Sequence, residues 1–257
     1  MGARANAPLR VRRWRNACAR RQAEMADPNV ELLAQVAAAL GELRERVTFV
    51  GGCATSLLIT DPASAPVRAT QDVDAVVAVV SLAEYRRLGE VLRAKGFRQS
   101  LEDAEPPYRW TFAGLKLDLM PTDARVLGFS NRWYGAVLEN AVPVEVGGGI
   151  TVRVADAPSF VATKLEAFLD RGRGDYFSSH DLEDVLSVVD GRAELVAELH
   201  TASPELRAFV AGVFSRLLTE EGFRNALPGL ILDDSPAVRL PVVAERLEAI
   251  GNLARLT

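Results

Sequence analysis

The segment Asp72-Val73-Asp74, opening a Val-rich run to Val80, constrains this chain most. Val73 to Val80 reads as a buried strand. Side chains alternate across a strand, so Asp72 and Asp74 project from the same face. Two carboxylates that close repel each other and favour protonation unless a cation lies between them. Lys116-Leu117-Asp118-Leu119-Met120 poses a related problem. An acid at the centre of such an apolar strand needs a partner or a metal. If the two strands are neighbours, three carboxylates converge. Their hard oxygens suit Mg²⁺ or Mn²⁺, and together they suffice for two ions and in-line displacement at phosphorus. The plainer alternative is that Asp72 and Asp74 merely begin a strand and that Asp118 pairs with an arginine.

A glycine turn adds context. Phe49-Val50-Gly51-Gly52 ends a short β-branched and aromatic strand, Val47 to Val50, and opens an apolar helix, Cys53 to Ile59. Glycines there let backbone N–H groups approach a phosphate, and a helix N-terminus favours negative charge. A lone Gly-Gly is more often only a tight turn. Here Arg68-Ala69-Thr70-Gln71 and the acidic strand follow it.

Periodicity supplies the remaining elements. Amphipathic helices are expected over Pro28–Arg46 and Leu82–Lys95. Hairpins are expected from Tyr108–Phe112 with Leu115–Met120 and from Val142–Val146 with Ile150–Val154. After Asp156 everything reads as helix: Pro158–Asp170, Ser179–Asp190, Glu194–Thr201, Pro204–Asn225 and Val238–Leu256. The expected organisation is therefore an α+β core over 25–156 and a helical domain over 157–257. Residues 1–24 hold seven arginines and one acid, against a net charge of −4 for all 257 residues. They are expected to form a basic, disordered extension, with translation starting at Met25; the rivals are a nucleic-acid arm and a transit peptide. No apolar run is long enough to cross a bilayer. Cys18 and Cys53 have no metal or disulfide spacing, and a reducing cytoplasm is the expected compartment.

The order of strand, Gly-Gly turn, helix, Asp-x-Asp strand and later acidic strand resembles the DNA polymerase β-like nucleotidyltransferase superfamily over about residues 47–120. More narrowly, Val67-Arg68-Ala69-Thr70-Gln71-Asp72-Val73-Asp74 is similar to the AbiEii family of nucleotidyltransferase toxins and their chromosomal relatives. So are Asp118-Leu119-Met120-Pro121-Thr122-Asp123, Gly128-Phe129-Ser130-Asn131-Arg132-Trp133-Tyr134 and Ser178-Ser179-His180-Asp181-Leu182-Glu183-Asp184-Val185. The resemblance implies a small mixed sheet flanked by helices, with a helical region after it. It also implies metal-dependent transfer of a nucleoside monophosphate from an NTP, with Asp72, Asp74 and Asp118 on Mg²⁺ or Mn²⁺. The acceptor it implies is an RNA, such as a tRNA 3′ end, or a protein hydroxyl, and the expected further partner is a cognate antitoxin. Cys53 departs from the superfamily's frequent Ser after Gly-Gly, and the loop from Gly52 to Asp72 is longer than usual.

Other residues carry two readings. Lys164 shares a helical face with Val161, Leu165 and Phe168, where a lysine usually snorkels. The resemblance implies that it reaches the triphosphate, beside Gly51, Gly52, Arg68 and Thr70, and that Asp181 orients it. Spacing alone makes Asp181 a first-turn acid on a helix dipole. Arg109, Trp110, Arg132, Trp133 and Tyr134 can stack on a base and bind phosphate, or simply pack, with Trp110 facing away from Arg109. The basic Arg171–Asp175 loop can be a phosphate contact or a solvated connection. His180-Asp181 lacks the earlier histidines that a metal phosphohydrolase dyad needs, so His180 reads as a helix start. The rivals in function are a non-catalytic nucleotide-binding or regulatory module on the same fold, and a metal-dependent hydrolase.

Overall fold

The computed structural model describes residues 27–99, 105–171, 175–231 and 236–256. The basic segment 1–24 lies outside them. The front of the chain builds a six-stranded mixed sheet of order β3-β4-β2-β1-β6-β5. Its strands are β1 (Val47–Val50), β2 (Asp72–Val77), β3 (Arg109–Phe112), β4 (Leu115–Pro121), β5 (Val142–Glu145) and β6 (Thr151–Val154). The pair β1–β2 is antiparallel, while β2–β4 and β1–β6 are parallel. Helices α1 (Pro28–Leu40), α2 (Gly51–Leu58) and α3 (Leu82–Ala94) accompany the front strands. Short α4 (Ala124–Leu127) and α5 (Tyr134–Glu139) lie between β4 and β5. Six helices follow: α6 (Ala157–Arg171), α7 (His180–Gly191), α8 (Leu195–Thr201), α9 (Pro204–Thr219), α10 (Glu221–Leu230) and α11 (Pro236–Asn252). This is the expected α+β architecture, a mixed sheet flanked by helices and followed by a helical region. None of the described helices is long and apolar enough to cross a membrane.

Local chemistry explains the boundaries. The Asp27 carboxylate accepts from the N–H groups of Asn29 and Val30, and Pro28 occupies the first turn, so α1 starts there. It ends at Leu40 rather than Arg46, because Gly41 adopts φ +57° and the chain tightens into a 3₁₀ turn. The β3–β4 hairpin turns at Ala113-Gly114 with φ of +48° and +86°, a type I′ geometry that matches the twist of the strands. The expected single helix over 204–225 is two. The chain bends at Glu220, which closes α9 and opens α10 in extended conformation. The apolar periodicity runs through that bend and so hid it.

Alternation sorts β2 and β4 into two faces. Leu117, Val73 and Trp110 point one way, and Trp110 is buried where Gly89 of α3 leaves room for its ring. Asp72, Asp74 and Asp118 point the other way. On that side α6 and α7 face the sheet across a cleft, and their Val161, Leu165, Leu182 and Val185 are buried. One hydrophobic core runs from Leu33 of α1 through the strands to Leu247 of α11.

Asn29 joins α1 to the strand that carries the acids. It is 1% exposed. Its Nδ2 donates to the Arg68 carbonyl and its Oδ1 accepts from the Thr70 N–H, both at 2.9 Å. Replacing Asn29 with Ala leaves two partly buried backbone groups without these partners. That should cost about 1–3 kcal/mol, measured by urea unfolding; a loss below a few tenths would show the clasp to be dispensable.

Candidate active site

The register brings the three acids together. Asp74 stands opposite Asp118 on parallel neighbours, and Arg109 stands opposite Asp118 across the hairpin. Arg109 answers the question of what neutralises Asp118. Its Nε donates to Asp118 Oδ1 and its second terminal nitrogen to Oδ2, each at 2.7 Å. The same terminal nitrogen donates to Asp72 Oδ2 at 3.0 Å. Asp72 and Asp118 therefore converge on one guanidinium atom. Thr70 fixes the other oxygen of Asp72, donating from its hydroxyl at 3.0 Å. Burial raises the pKa of Asp118 against the opposing pull of Arg109.

Asp74 differs from its neighbours. Among the described residues, no hydrogen bond or ion pair is made to its carboxylate. Burial, reinforced by Asp72 and Asp118 and opposed by Lys164, pushes its pKa up to about 7. The glycine turn is built around this side chain. Gly51 has φ +72°, and a Cβ there would lie 1.9 Å from Asp74 Oδ2. Both the backbone conformation and the approach of the carboxylate therefore require glycine. No side chain caps the N-terminus of α2, which begins at Gly51 beside Asp74.

Cys53 does not take up the role that a serine after Gly-Gly would have. It is fully buried, and its thiol donates to the Asp72 carbonyl at 3.2 Å, which ties α2 to the start of β2. Burial, then the charge of Asp74, raises its pKa.

Opposite the sheet, Lys164 does not snorkel to solvent. Its Nζ lies 2.6 Å from Asp184 Oδ2 and 3.2 Å from Asp181 Oδ1, and its side chain is 12% exposed. Burial works against its charge, but Asp184, Asp181 and Asp74 outweigh it and raise the pKa. Asp184 is completely buried and takes Arg68 as a second partner at 3.2 Å. Arg171 pairs with Asp181 at 2.7 Å; Gly172, Arg173 and Gly174 of the basic loop lie outside the described residues. Asp184, not Asp181 alone, is thus the acid that holds Lys164. Arg68 and Thr70 face Asp184 and Asp72 rather than open space.

A cleft of about 400 Å³ opens between these walls. Gly51, Asp74, Lys164 and Asp181 line it, with Tyr108 and Phe129 at one side. Tyr108 and Phe129 meet edge to face at 5.1 Å. Tyr134 also lines the cleft. Trp110 and Trp133 are core residues instead, 1% and 5% exposed. Arg132 stacks over Trp133 and Phe209 and pairs with Glu166. His180 is the first residue of α7 and contacts Glu183, with Ser179 capping the helix. A second cavity of about 450 Å³ lies near Asp156 and Arg192, but the Arg192 charge is taken by Glu198 at 2.7 Å.

The carboxylate donors of Asp72 and Asp74, which share a face, suit a hard divalent cation. Among the described residues, however, no three His, Cys, Asp or Glu side chains stand in a ready metal-holding group. Arg109 holds both oxygens of Asp118, the third acid such a group would need.

No protein-family model matches the chain, and no curated protein matches it. Similar solved structures include an antigenic nucleotidyltransferase-like protein from Paracoccidioides brasiliensis, at 19% identity and a TM-score of 0.48, covering 87% of this chain and 94% of that one. The antibiotic-resistance factor ANT(2'')-Ia is another, at 15% identity and a TM-score of 0.45, covering 78% of this chain and 99% of that one. These identities are too low to transfer a substrate, a metal or an acceptor to this chain.

Two outcomes follow from Asp74 and Gly51. The folded pKa of Asp74, about 7, exceeds the ordinary 3.8. Across that window the unfolded chain has lost this proton and the folded chain keeps it, so the Asp74 contribution to stability falls as pH rises. Asp74→Asn removes the effect. In chelator, the melting temperature of the variant relative to the unmodified protein should rise from about pH 4 to about pH 8; a flat difference would contradict the shift. Gly51→Ala should cost about 1–2 kcal/mol for the backbone conformation alone, and more for displacing Asp74. Equal unfolding midpoints would show that the turn tolerates a Cβ.

Proposed function

We propose that the protein is a metal-dependent nucleotidyltransferase that moves a nucleoside monophosphate from an NTP to a hydroxyl acceptor. The observation that carries this reading is the cleft itself, where an unpaired carboxylate, an uncapped helix N-terminus and a buried lysine face one another. A polyanion that brings its own cation complements all three. Asp72 and Asp74 would hold Mg²⁺ or Mn²⁺, and Asp118 would complete the set. The bound ion supplies charge neutralisation on the triphosphate and its leaving pyrophosphate. The backbone N–H groups at Gly51-Gly52 would donate to phosphate oxygens. Lys164 adds charge-assisted bonds to the phosphates. Asp181 and Asp184 aim that lysine. Arg68 and Thr70 act by fixing Asp184 and Asp72. The acid set then orients the acceptor oxygen for in-line attack, and catalysis is mainly positioning.

The acceptor classes come from the sequence resemblance to AbiEii-type toxins: an RNA, with a tRNA 3′ end as the first to test, or a protein hydroxyl. The same resemblance supplies a toxin-like role in the cytoplasm and a cognate antitoxin as partner.

Incubation with each labelled NTP, Mg²⁺ and total RNA, followed by separation of RNA from protein, tests the reading. Label should enter one of the two fractions, and Asp74→Ala should abolish it while the protein stays folded. Labelling that survives Asp74→Ala, or none with any NTP, would sink the proposal. Lys164→Met keeps most of the apolar stem but leaves Asp184 with Arg68 as its remaining cation. Transfer and NTP affinity should fall by about 10- to 1000-fold. Unchanged NTP binding in a folded Lys164→Met protein would remove the lysine from the phosphate site.

A further inference from the structure

Arg109 makes more contacts with the acid cluster than any expected ligand does. Three carboxylates surround its guanidinium: Asp118 at 2.7 Å, Asp72 at 3.0 Å and Glu105 at 3.7 Å. The contacts are unequal. Asp118 gives both oxygens in a fork-to-fork pair, and its side chain is 6% exposed. Asp72 gives one oxygen at longer range, and its side chain is 34% exposed. Asp74 has neither Arg109 nor another cation in direct contact among the described residues.

The pair is also built into the backbone. Arg109 and Asp118 are cross-strand partners in the β3–β4 hairpin, so their side chains meet on one face by register. A guanidinium stays charged at any working pH. A divalent ion placed on Asp118 would therefore share a carboxylate with a fixed positive charge, and the two cations would repel. Asp72 gives Arg109 only one oxygen, its other facing the Thr70 hydroxyl, and Asp74 makes no direct contact with the guanidinium among the described residues.

We propose, building on the nucleotidyl-transfer reading, that Arg109 is a positioning residue that holds Asp118 as a fixed counter-ion. The nucleotide-free protein then takes one divalent cation, on Asp72 and Asp74. Asp118 joins the metal site only when an incoming triphosphate, a stronger bidentate partner for a guanidinium, draws Arg109 away. Arg109 thereby couples full assembly of the acid set to the presence of nucleotide.

The test is calorimetric titration of the full chain with Mn²⁺, with and without a non-hydrolysable NTP analogue. Without nucleotide, the unmodified protein should take one Mn²⁺. Asp118→Asn should keep that count, because Asp118 is not yet a ligand. Arg109→Gln frees Asp118 and should tighten Mn²⁺ binding by about 10-fold or more. With the analogue present, Asp118→Asn should weaken Mn²⁺ binding by at least about 10-fold. Two Mn²⁺ on the nucleotide-free protein would overturn the proposal. So would loss of nucleotide-free binding in Asp118→Asn, or an unchanged affinity in a folded Arg109→Gln. Arg109→Lys, which keeps the charge and loses the fork, provides a second variant if Arg109→Gln melts early. It should tighten Mn²⁺ binding less than Arg109→Gln does, and equal or greater tightening would contradict the charge argument. Failure of the parent reading looks different: the unmodified protein binds no Mn²⁺ at all, or Asp74→Asn binds it as well as the unmodified protein does.

Discussion

The ammonium of Lys164, enclosed between Asp184, Asp181 and Asp74, is the interaction on which the rest of the site depends. A lysine this buried keeps its charge only if carboxylates replace the water it has lost. Asp184, wholly buried, has the converse need and meets it with Lys164 and Arg68. Lys164 comes from α6, Asp184 from α7 and Arg68 from the loop that leads into β2. One ion cluster thus fixes how the helical part of the chain sits on the acidic face of the sheet. Apolar contacts under Val161, Leu165, Leu182 and Val185 supply burial, but they are non-directional. The charges choose the register among the many packings that such a surface allows.

The same logic extends backward to the first described helix. Arg68 can reach Asp184 only if its loop is held, and Asn29 of α1 grips the backbone on both sides of Ala69. Thr70, on that held segment, then orients Asp72. A chain of direct contacts runs from α1 through the loop to the acid strand. The long connection between α2 and β2 is compatible with an ordered site for this reason. Its last residues are clasped by a buried amide, and Thr60 near its start donates to Glu194 at 2.8 Å.

Short-range chemistry made much of this legible. β1 matched Val47–Val50 because a β-branched run met a glycine turn. Asp72, Asp74 and Asp118 were expected to converge because period-two alternation and an apolar flank leave an acid few alternatives. Trp110 pointed away from Arg109 for the same reason. The partners were not legible. Whether an arginine or a metal takes Asp118 is decided by β3–β4 register, and Arg109 on its own strand reads equally well as a phosphate ligand. The pairing of Asp184 with Arg68 spans 116 residues and leaves no local pattern. Nothing local marks Asn29, whose partners Arg68 and Thr70 lie 39 and 41 residues further along the chain. Short α4 and α5 carry too few turns for a periodic signal.

Charge balance across the cleft leaves one acid and one helix terminus without a direct partner among the described residues. Asp118 and Asp72 share Arg109, while Asp181 and Asp184 share Lys164, Arg68 and Arg171. Asp74 alone among these acids is left to the field of its neighbours, and its raised pKa expresses that. A cation alone would relieve Asp74 but leave the N-terminus of α2 facing added positive charge. An anion alone would suit α2 and Lys164 but repel Asp74. Under the proposed function, a phosphate chain carrying its own divalent ion would satisfy both demands at once, with Asp74 holding the ion and Gly51 and Lys164 meeting the oxygens. The close approach of Asp74 to Gly51 makes the two demands inseparable, because the carboxylate and the helix terminus occupy one corner of the cleft.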